Sequence, residues 1–161
     1  MDIHDFMRTF EEGWSTPRGG QAFLDHFLPH MTDQTRMVQP MAPEAVGREE
    51  FAQMFAGTFE LIPDLHAEIH GYTADGDVGH VSFDLLGTVG GRPFRLVCCD
   101  RITVRDGKVV ERIAHFDPLP LVLALLRSPR SWPRAIRVMR RKAAARPVSP
   151  QPNRSPAGEP A

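Results

Sequence analysis

The stretch LHAEIHGYTADGDVGHVSFDLLGTVGGRPFRLVCCDRITVRDGKVVERIAHFD, Leu65 to Asp117, decides the fold. Apolar and polar residues alternate through it in four runs: Leu65 to Tyr72, Gly79 to Val89, Phe94 to Val104 and Val109 to Asp117. Between them lie Ala74-Asp75-Gly76-Asp77, Gly90-Gly91-Arg92-Pro93 and Arg105-Asp106-Gly107-Lys108. Successive side chains on a strand point to opposite faces, so a period of two predicts half-buried strands; Asp-Gly is a tight-hairpin signal. The segment therefore predicts four strands in antiparallel succession.

Upstream of Pro63 the apolar period is helical. Ile3, Phe6, Met7, Phe10 and Trp14 make one stripe that stops before Pro17 and Gly19-Gly20. A shorter helix is predicted over Gln21 to Leu28, with Phe23, Leu24, Phe27 and Leu28 inward and Pro29 ending it. Arg36 to Gln39 reads as a short strand and Pro40 to Gly47 as a loop. Glu49 and Glu50 then suit the first turn of a third helix, whose stripe is Phe51, Met54, Phe55, Phe59 and Ile62. Three helices before four strands predict an α+β fold, with the helices laid on one face of a strongly bent, mostly antiparallel sheet.

Downstream of Asp117, Leu119 to Leu126 reads as a short apolar helix packed on the body. Beyond Pro129 and Pro133, Trp132, Ile136, Met139 and Ala143 fall at helical spacing opposite Arg134, Arg137, Arg141 and Lys142, a basic amphipathic segment. Residues 147–161 contain five prolines and little to bury, so disorder is expected there. The organisation is thus one domain over 3–127, a basic amphipathic segment over 128–146 and a Pro-rich tail over 147–161.

Composition agrees. A chain of 161 residues, 42% hydrophobic and 24% charged, suits one globular core that needs neither disulfide nor metal. Cys98 and Cys99 are adjacent, so on a strand they point apart and are poorly placed to bridge or chelate. A reducing, cytoplasmic compartment is expected, since the N-terminus lacks the pattern of a signal peptide. The apolar run Leu121 to Leu126 is far short of the ~20 residues that cross a bilayer as a helix. Charge is divided: residues 1–117 carry 10 Lys and Arg against 19 Asp and Glu, a balance of −9, while residues 118–161 carry 9 against 1, a balance of +8.

Strand parity sorts the polar residues. His80, Ser82, Asp84 and Leu86 share one face of the second strand. Leu96, Cys98, Asp100, Ile102 and Val104 share one face of the third; Val109, Glu111, Ile113, His115 and Asp117 share one face of the last. Periodicity alone leaves open which face is concave.

The order of elements, with VGREEFAQMFAGTFELIPDLHAEI (Val46 to Ile69) and the closing DGKVVERIAHFDPLPL (Asp106 to Leu121), resembles the nuclear transport factor 2-like superfamily and its SnoaL-like branch of polyketide cyclases. The resemblance covers about residues 3–121. It implies a cone-shaped roll with a cavity between the bent sheet and the helices, shared by ketosteroid isomerases, limonene epoxide hydrolases, scytalone dehydratases, aldol-type cyclases and proteins that only bind. Asp117 matches the terminal-strand aspartate that serves cyclases and epoxide hydrolases as acid or base. Asp84 matches a second epoxide-hydrolase carboxylate, but Ser82 stands where that pattern has an arginine. Asp100 matches the protonated oxyanion-hole aspartate of the ketosteroid isomerases, a worked example of an elevated carboxyl pKa. Gln39-Pro40, however, stands where those enzymes have Asp-Pro, and the single tyrosine, Tyr72, is far from the position of theirs.

Parity and resemblance together imply catalytic Asp117, His80 and His115, with Ser82, Asp84, Asp100 and Cys98 binding substrate. A carboxylate beside a histidine can exchange protons at carbon alpha to a carbonyl without a cofactor. The implied function is a cofactor-independent cyclase, isomerase or dehydratase acting on a small, mostly apolar polyketide- or terpenoid-like molecule. A binding protein of the same fold, or an epoxide hydrolase lacking the usual arginine, are the alternatives. Plainer roles compete: Asp117 as a helix cap, His80 and His115 as hydrogen-bonded structural histidines, and His66, Glu68 and His70 as an exposed strand face rather than a metal site. The resemblance implies a homodimer. The basic segment suggests weak contact with a membrane surface, against the simpler reading of a helix lying on the protein's own acidic body. Trp132 stands alone among the basic residues, so nucleic acid is not expected.

Overall fold

The predicted stripe of the first helix is buried along its whole length: Ile3, Phe6, Met7, Phe10 and Trp14 lie inward on α1 (Ile3–Trp14), whose first turn is closed by a reciprocal capping box between Asp2 and Asp5. The computed structural model describes residues 1–16, 19–129 and 132–144. α2 (Gly19–Phe27) buries Phe23, Leu24 and Phe27, but it ends one residue early. Leu28 enters a single 3-10 turn with Pro29 and is only half-buried. α3 (Gly47–Leu61) buries Phe51, Met54, Phe55 and Phe59. The aromatic rings of the three helices interlock over the sheet, with Phe10 against Phe83 at 5.5 Å and Trp14 against Phe23 at 4.6 Å between centroids. Gly79 permits the close approach of α1, since a Cβ there would meet the Met7 Cε at 2.3 Å.

Six strands follow or flank these helices: β1 (Arg36–Val38), β2 (Ala45–Val46), β3 (His66–Asp75), β4 (Val78–Val89), β5 (Arg92–Arg105) and β6 (Lys108–Phe116). They form one sheet in the order β2-β1-β6-β5-β4-β3. β1 runs parallel to β6, and β2, inside the segment read as a loop, pairs antiparallel with β1. The fold is α+β as predicted, but the strongly bent, cone-shaped roll is corrected. The sheet is open and mixed, with β2 and β3 as unpaired edges, and is not strongly curled or closed. Its register explains this. β4 and β5 pair over twelve successive residues, Val78↔Thr103 to Val89↔Arg92, without interruption. Register breaks occur only between Ile69 and Gly71 and between Thr103 and Val104. Bulges are the usual means of bending a sheet, and the central β4–β5 ladder has none.

Beyond the sheet, α4 (Leu119–Leu126) lies on the body with Leu121, Ala124 and Leu125 partly buried. The Ser128 hydroxyl then donates to the Val89 carbonyl at 3.1 Å, tying the chain to the β4–β5 hairpin. α5 (Trp132–Ala144) packs on α3, and its buried face differs from the predicted stripe. Ala135 and Val138 are buried, whereas Trp132 and Ile136 are 47% and 49% exposed. Two small side chains one turn apart allow a close approach that Trp132 and Ile136 would prevent. The predicted disordered tail, 147–161, lies outside the described residues. No helix among the described residues is long and apolar enough to cross a membrane.

Candidate functional site

A cavity of about 200 Å³ lies between the helical face of the sheet and the C-terminal helices. Its sheet wall is Leu85 from β4, Phe94, Leu96, Cys98 and Asp100 from β5, and Arg112 and Phe116 from β6. Phe55, Thr58, Leu61 and Ile62 close one side, Leu121, Leu125, Ala135 and Val138 another, and the loop Gln39–Ala42 a third. At that loop Met41 is 61% exposed and holds the left-handed backbone conformation, with φ 64°, which a non-glycine residue adopts at a cost.

Two charges stand in this apolar enclosure. Asp100 is fully buried, and both Nε and Nη2 of Arg112 reach its Oδ2 at 2.5 Å. The Arg112 side chain is only 10% exposed, and its guanidinium lies 5.8 Å from the centroid of the Phe55 ring. Because both nitrogens converge on one oxygen, the Asp100 Oδ1 is left buried with no hydrogen-bond partner among the described residues. Burial pushes the Asp100 carboxyl above its ordinary value, against the opposing pull of Arg112 and, more weakly, His115. Beside it, burial and the Asp100 charge push the Cys98 thiol up to about 12. Cys98 therefore stays a neutral thiol, directed at the Leu96 carbonyl at 3.5 Å.

Of the seven residues implied by sequence, the structure brings only Asp100 and Cys98 into the cavity. His80 and Ser82 are exposed on the opposite face of the sheet. Asp84 is buried on that outer face, where its Oδ2 meets Arg95 Nη2 at 2.6 Å and His70 Nε2 at 3.1 Å. Burial works against the Asp84 carboxylate, but Arg95 and then His70 outweigh it and hold the carboxyl below its ordinary value. His115 is exposed, with Nδ1 3.3 Å from the Cys99 carbonyl. Asp117 is exposed too; its Oδ1 accepts the Leu119 amide at 2.9 Å just before α4, whose N-cap residue is Pro118. His66 lies 2.9 Å from the Asp64 carbonyl. Among the described residues no three His, Cys, Asp or Glu side chains converge as a metal site requires.

The separation follows from register. Residues directly opposite on paired strands share a face. Asp100 pairs with Val81 on one side and Ala114 on the other, so its neighbours are the odd-numbered residues of β4 and the even-numbered residues of β6. On the β4 side the signal was available: an even-length loop at Gly90-Gly91, of two residues or of four, pairs even with odd positions and sends His80, Ser82 and Asp84 to the other face. On the β6 side it was hidden. From the Asp106-Gly107 turn, Val104 pairs with Val109, and an unbroken ladder would carry Asp100 to Ile113, on the face of His115 and Asp117. The bulge after Thr103 adds one residue to β6, so Asp100 meets Ala114 and the cavity receives Arg112. Gln39 and Thr58 are further polar residues of the wall that sequence reasoning did not assign to the site.

The SnoaL-like domain model matches residues 3–112. Among solved structures, a SnoaL-like protein from Jannaschia sp. CCS1 assigned to the polyketide cyclases is 24% identical, over 76% of this chain and 90% of that one, with a TM-score of 0.65. IdmH from Streptomyces antibioticus, likewise assigned to the polyketide cyclases, is 20% identical over 76% and 96%, with a TM-score of 0.63. TsrD from Streptomyces laurentii is 17% identical over 78% and 97%, also at 0.63. At these identities the likeness is one of fold. No curated protein matches the chain in sequence.

Proposed function

The chain belongs to the SnoaL-like domain family, and on that premise we propose that it is a cofactor-independent acid–base enzyme acting on a small, mostly apolar polyketide- or terpenoid-like molecule. The observation that carries this reading is the Asp100 carboxyl: buried on the cavity wall, gripped through one oxygen by Arg112, and with no partner among the described residues at the other. A carboxyl whose ionised form is destabilised by burial is a stronger base than an exposed one, and Oδ1 is free to take a proton from carbon alpha to a carbonyl and return it elsewhere on the same molecule. Aldol cyclisation, isomerisation and dehydration all leave the protein's proton count unchanged, so one carboxyl suffices for either half of the transfer. Arg112 fixes the carboxyl and Gln39 offers a hydrogen bond to a substrate oxygen; Thr58, whose hydroxyl donates to the Met54 carbonyl at 3.0 Å, keeps only an acceptor, and Cys98 adds a neutral wall. In the proposed mechanism no proton-transfer step falls to Asp117, His80 or His115.

The test needs no knowledge of the natural substrate. Exchange of the alpha protons of 2-tetralone in deuterated water, followed by proton NMR, should run faster with the protein than with buffer. Asp100→Asn should cut the protein-dependent rate by about 10². A second reading, binding without chemistry, draws on the otherwise apolar lining; binding of apolar ketones with exchange no faster than buffer decides for it. A homodimer belongs to the same proposal, with the outer face of β4 and β5, where Val97 is 67% exposed, as the surface that a second copy covers. Sedimentation equilibrium of the wild type beside Val97→Glu tests that.

A further inference from the structure

The C-terminal helices form one wall of the cavity on their inner side and carry an unusual surface on their outer side. Leu121 and Leu125 of α4 and Ala135 and Val138 of α5 face the cavity. On the outside, Leu119, Leu123 and Leu126 recur at intervals of four and three residues on α4 and are 55%, 37% and 60% exposed. Trp132 and Ile136 continue this apolar surface onto α5, for the Trp132 indole N–H donates to the Leu125 carbonyl at 2.9 Å beside Leu126. Arg134, Arg137 and Arg140 are exposed on the same helix, and Arg137 reaches Glu60 of α3 only at 3.7 Å. Both helices lie beyond Arg112, where the family match ends.

We propose that the outer face of α4 and α5 docks on an anionic lipid bilayer, and that docking lifts α5 from the cavity so that an apolar ligand enters from the membrane. The occupant follows from charge as well as apolarity. An exposed aromatic and aliphatic patch ringed by arginines is the composition of an interfacial helix. Residues 118–161 carry +8 while residues 1–117 carry −9, so attraction to an anionic surface falls to the C-terminal segment, where Arg127, Arg134, Arg137 and Arg140 are exposed. Among the described residues α5 is held by the buried Ala135 and Val138, the Trp132 indole hydrogen bond and the ion pair of Arg137, attachments that a bilayer can replace.

The proposal rests on the reading of the cavity as a ligand site only for what is carried; the docking test uses no substrate, so its failure leaves that reading standing. Full-length protein is sedimented with vesicles of phosphatidylcholine alone or with one quarter phosphatidylglycerol. Binding at least tenfold tighter to the anionic vesicles, weakened by 0.5 M salt and accompanied by a blue shift of Trp132 fluorescence, is expected. Leu126→Ser with Ile136→Ser, and separately Arg134→Glu with Arg140→Glu, should each lower it at least tenfold while leaving the melting temperature unchanged. Lifting of α5 is read from Cys98 in a Cys99→Ser background: alkylation by N-ethylmaleimide should accelerate severalfold on anionic vesicles. Absence of vesicle binding, binding indifferent to both pairs of substitutions, or a Cys98 rate unchanged on bound vesicles overturns the proposal. Concentration-dependent dimerisation abolished by Leu126→Ser with Ile136→Ser, without vesicle binding, overturns it in favour of a second copy of the chain.

Discussion

Asp84 and Asp100 sit on neighbouring strands and face opposite sides of the same sheet. Each is buried, each is held by an arginine of the next strand, and each keeps an Oδ1 with no hydrogen-bond partner among the described residues. Their carboxyls are nevertheless pushed in opposite directions. Burial dominates at Asp100 and raises it; at Asp84 burial is outweighed by Arg95 and His70, and it is lowered. The difference lies beyond the carboxylates, in their partners. Arg95 is 65% exposed and keeps its own hydration, whereas Arg112 is 10% exposed and has been desolvated along with Asp100. An ion pair backed by water stabilises its carboxylate, while one enclosed in an apolar wall has to offset the desolvation of two charges.

The largest expected effect is the removal of Arg112, with Arg95 as its comparison. Arg112→Met should destabilise the fold by about 3 to 5 kcal/mol, because a buried charge loses its counter-ion. Arg95→Met should cost less, about 1 kcal/mol, because Arg95 itself is exposed and His70 stays on the same Asp84 oxygen at 3.1 Å as a remaining partner. Urea unfolding at neutral pH checks both, and equal losses would abolish the distinction between the two faces. Catalysis sharpens it next: with 2-tetralone exchange as the assay, Asp100→Asn should lose about 10² in rate and Asp84→Asn should stay within about twofold of the wild type.

The pH dependence of stability should then carry opposite signs. The lowered Asp84 contributes stability that is present above the unfolded value of 3.8 and lost as pH falls through its lower folded value. The raised Asp100 contributes stability that is present below 3.8 and lost as pH rises through its higher folded value. Relative to the wild type, the melting temperature of Asp84→Asn should therefore worsen as pH rises from about 3 to 8, and that of Asp100→Asn should improve; parallel trends in calorimetry would show that one environment governs both. The smallest effect belongs to a third aspartate. Asp117→Ala should cost about 0.5 kcal/mol, the worth of one exposed hydrogen bond to the Leu119 amide, and leave the exchange rate unchanged. A large loss of rate at unchanged stability would return Asp117 to the chemistry.

Much of this was legible in the residues. The stripe of Ile3 to Trp14, the period-two runs after Leu65 and the Asp106-Gly107 turn, where both residues adopt positive φ, were fixed by local chemistry and appear where they were predicted. So was the alternation that puts Cys98 and Asp100 on one face of β5, because side-chain direction along a single strand depends on nothing outside it. What joins one strand to the next is another matter. The single extra residue in β6, Val110 opposite the Thr103–Val104 step, exchanges His115 and Asp117 for Arg112 and Ala114, and a bulge leaves no composition signal in a run as uniform as Val109 to Phe116. The choice of Ala135 and Val138 over Trp132 and Ile136 as the buried face of α5 likewise depends on how closely α3 can be approached, a distance no helical pattern contains. Sequence determined the elements and the two-faced character of each, since these arise between residues a few positions apart. Which faces meet around the Asp100 carboxyl was decided only by tertiary structure, because register and close packing are set by groups distant in the chain competing for the same space.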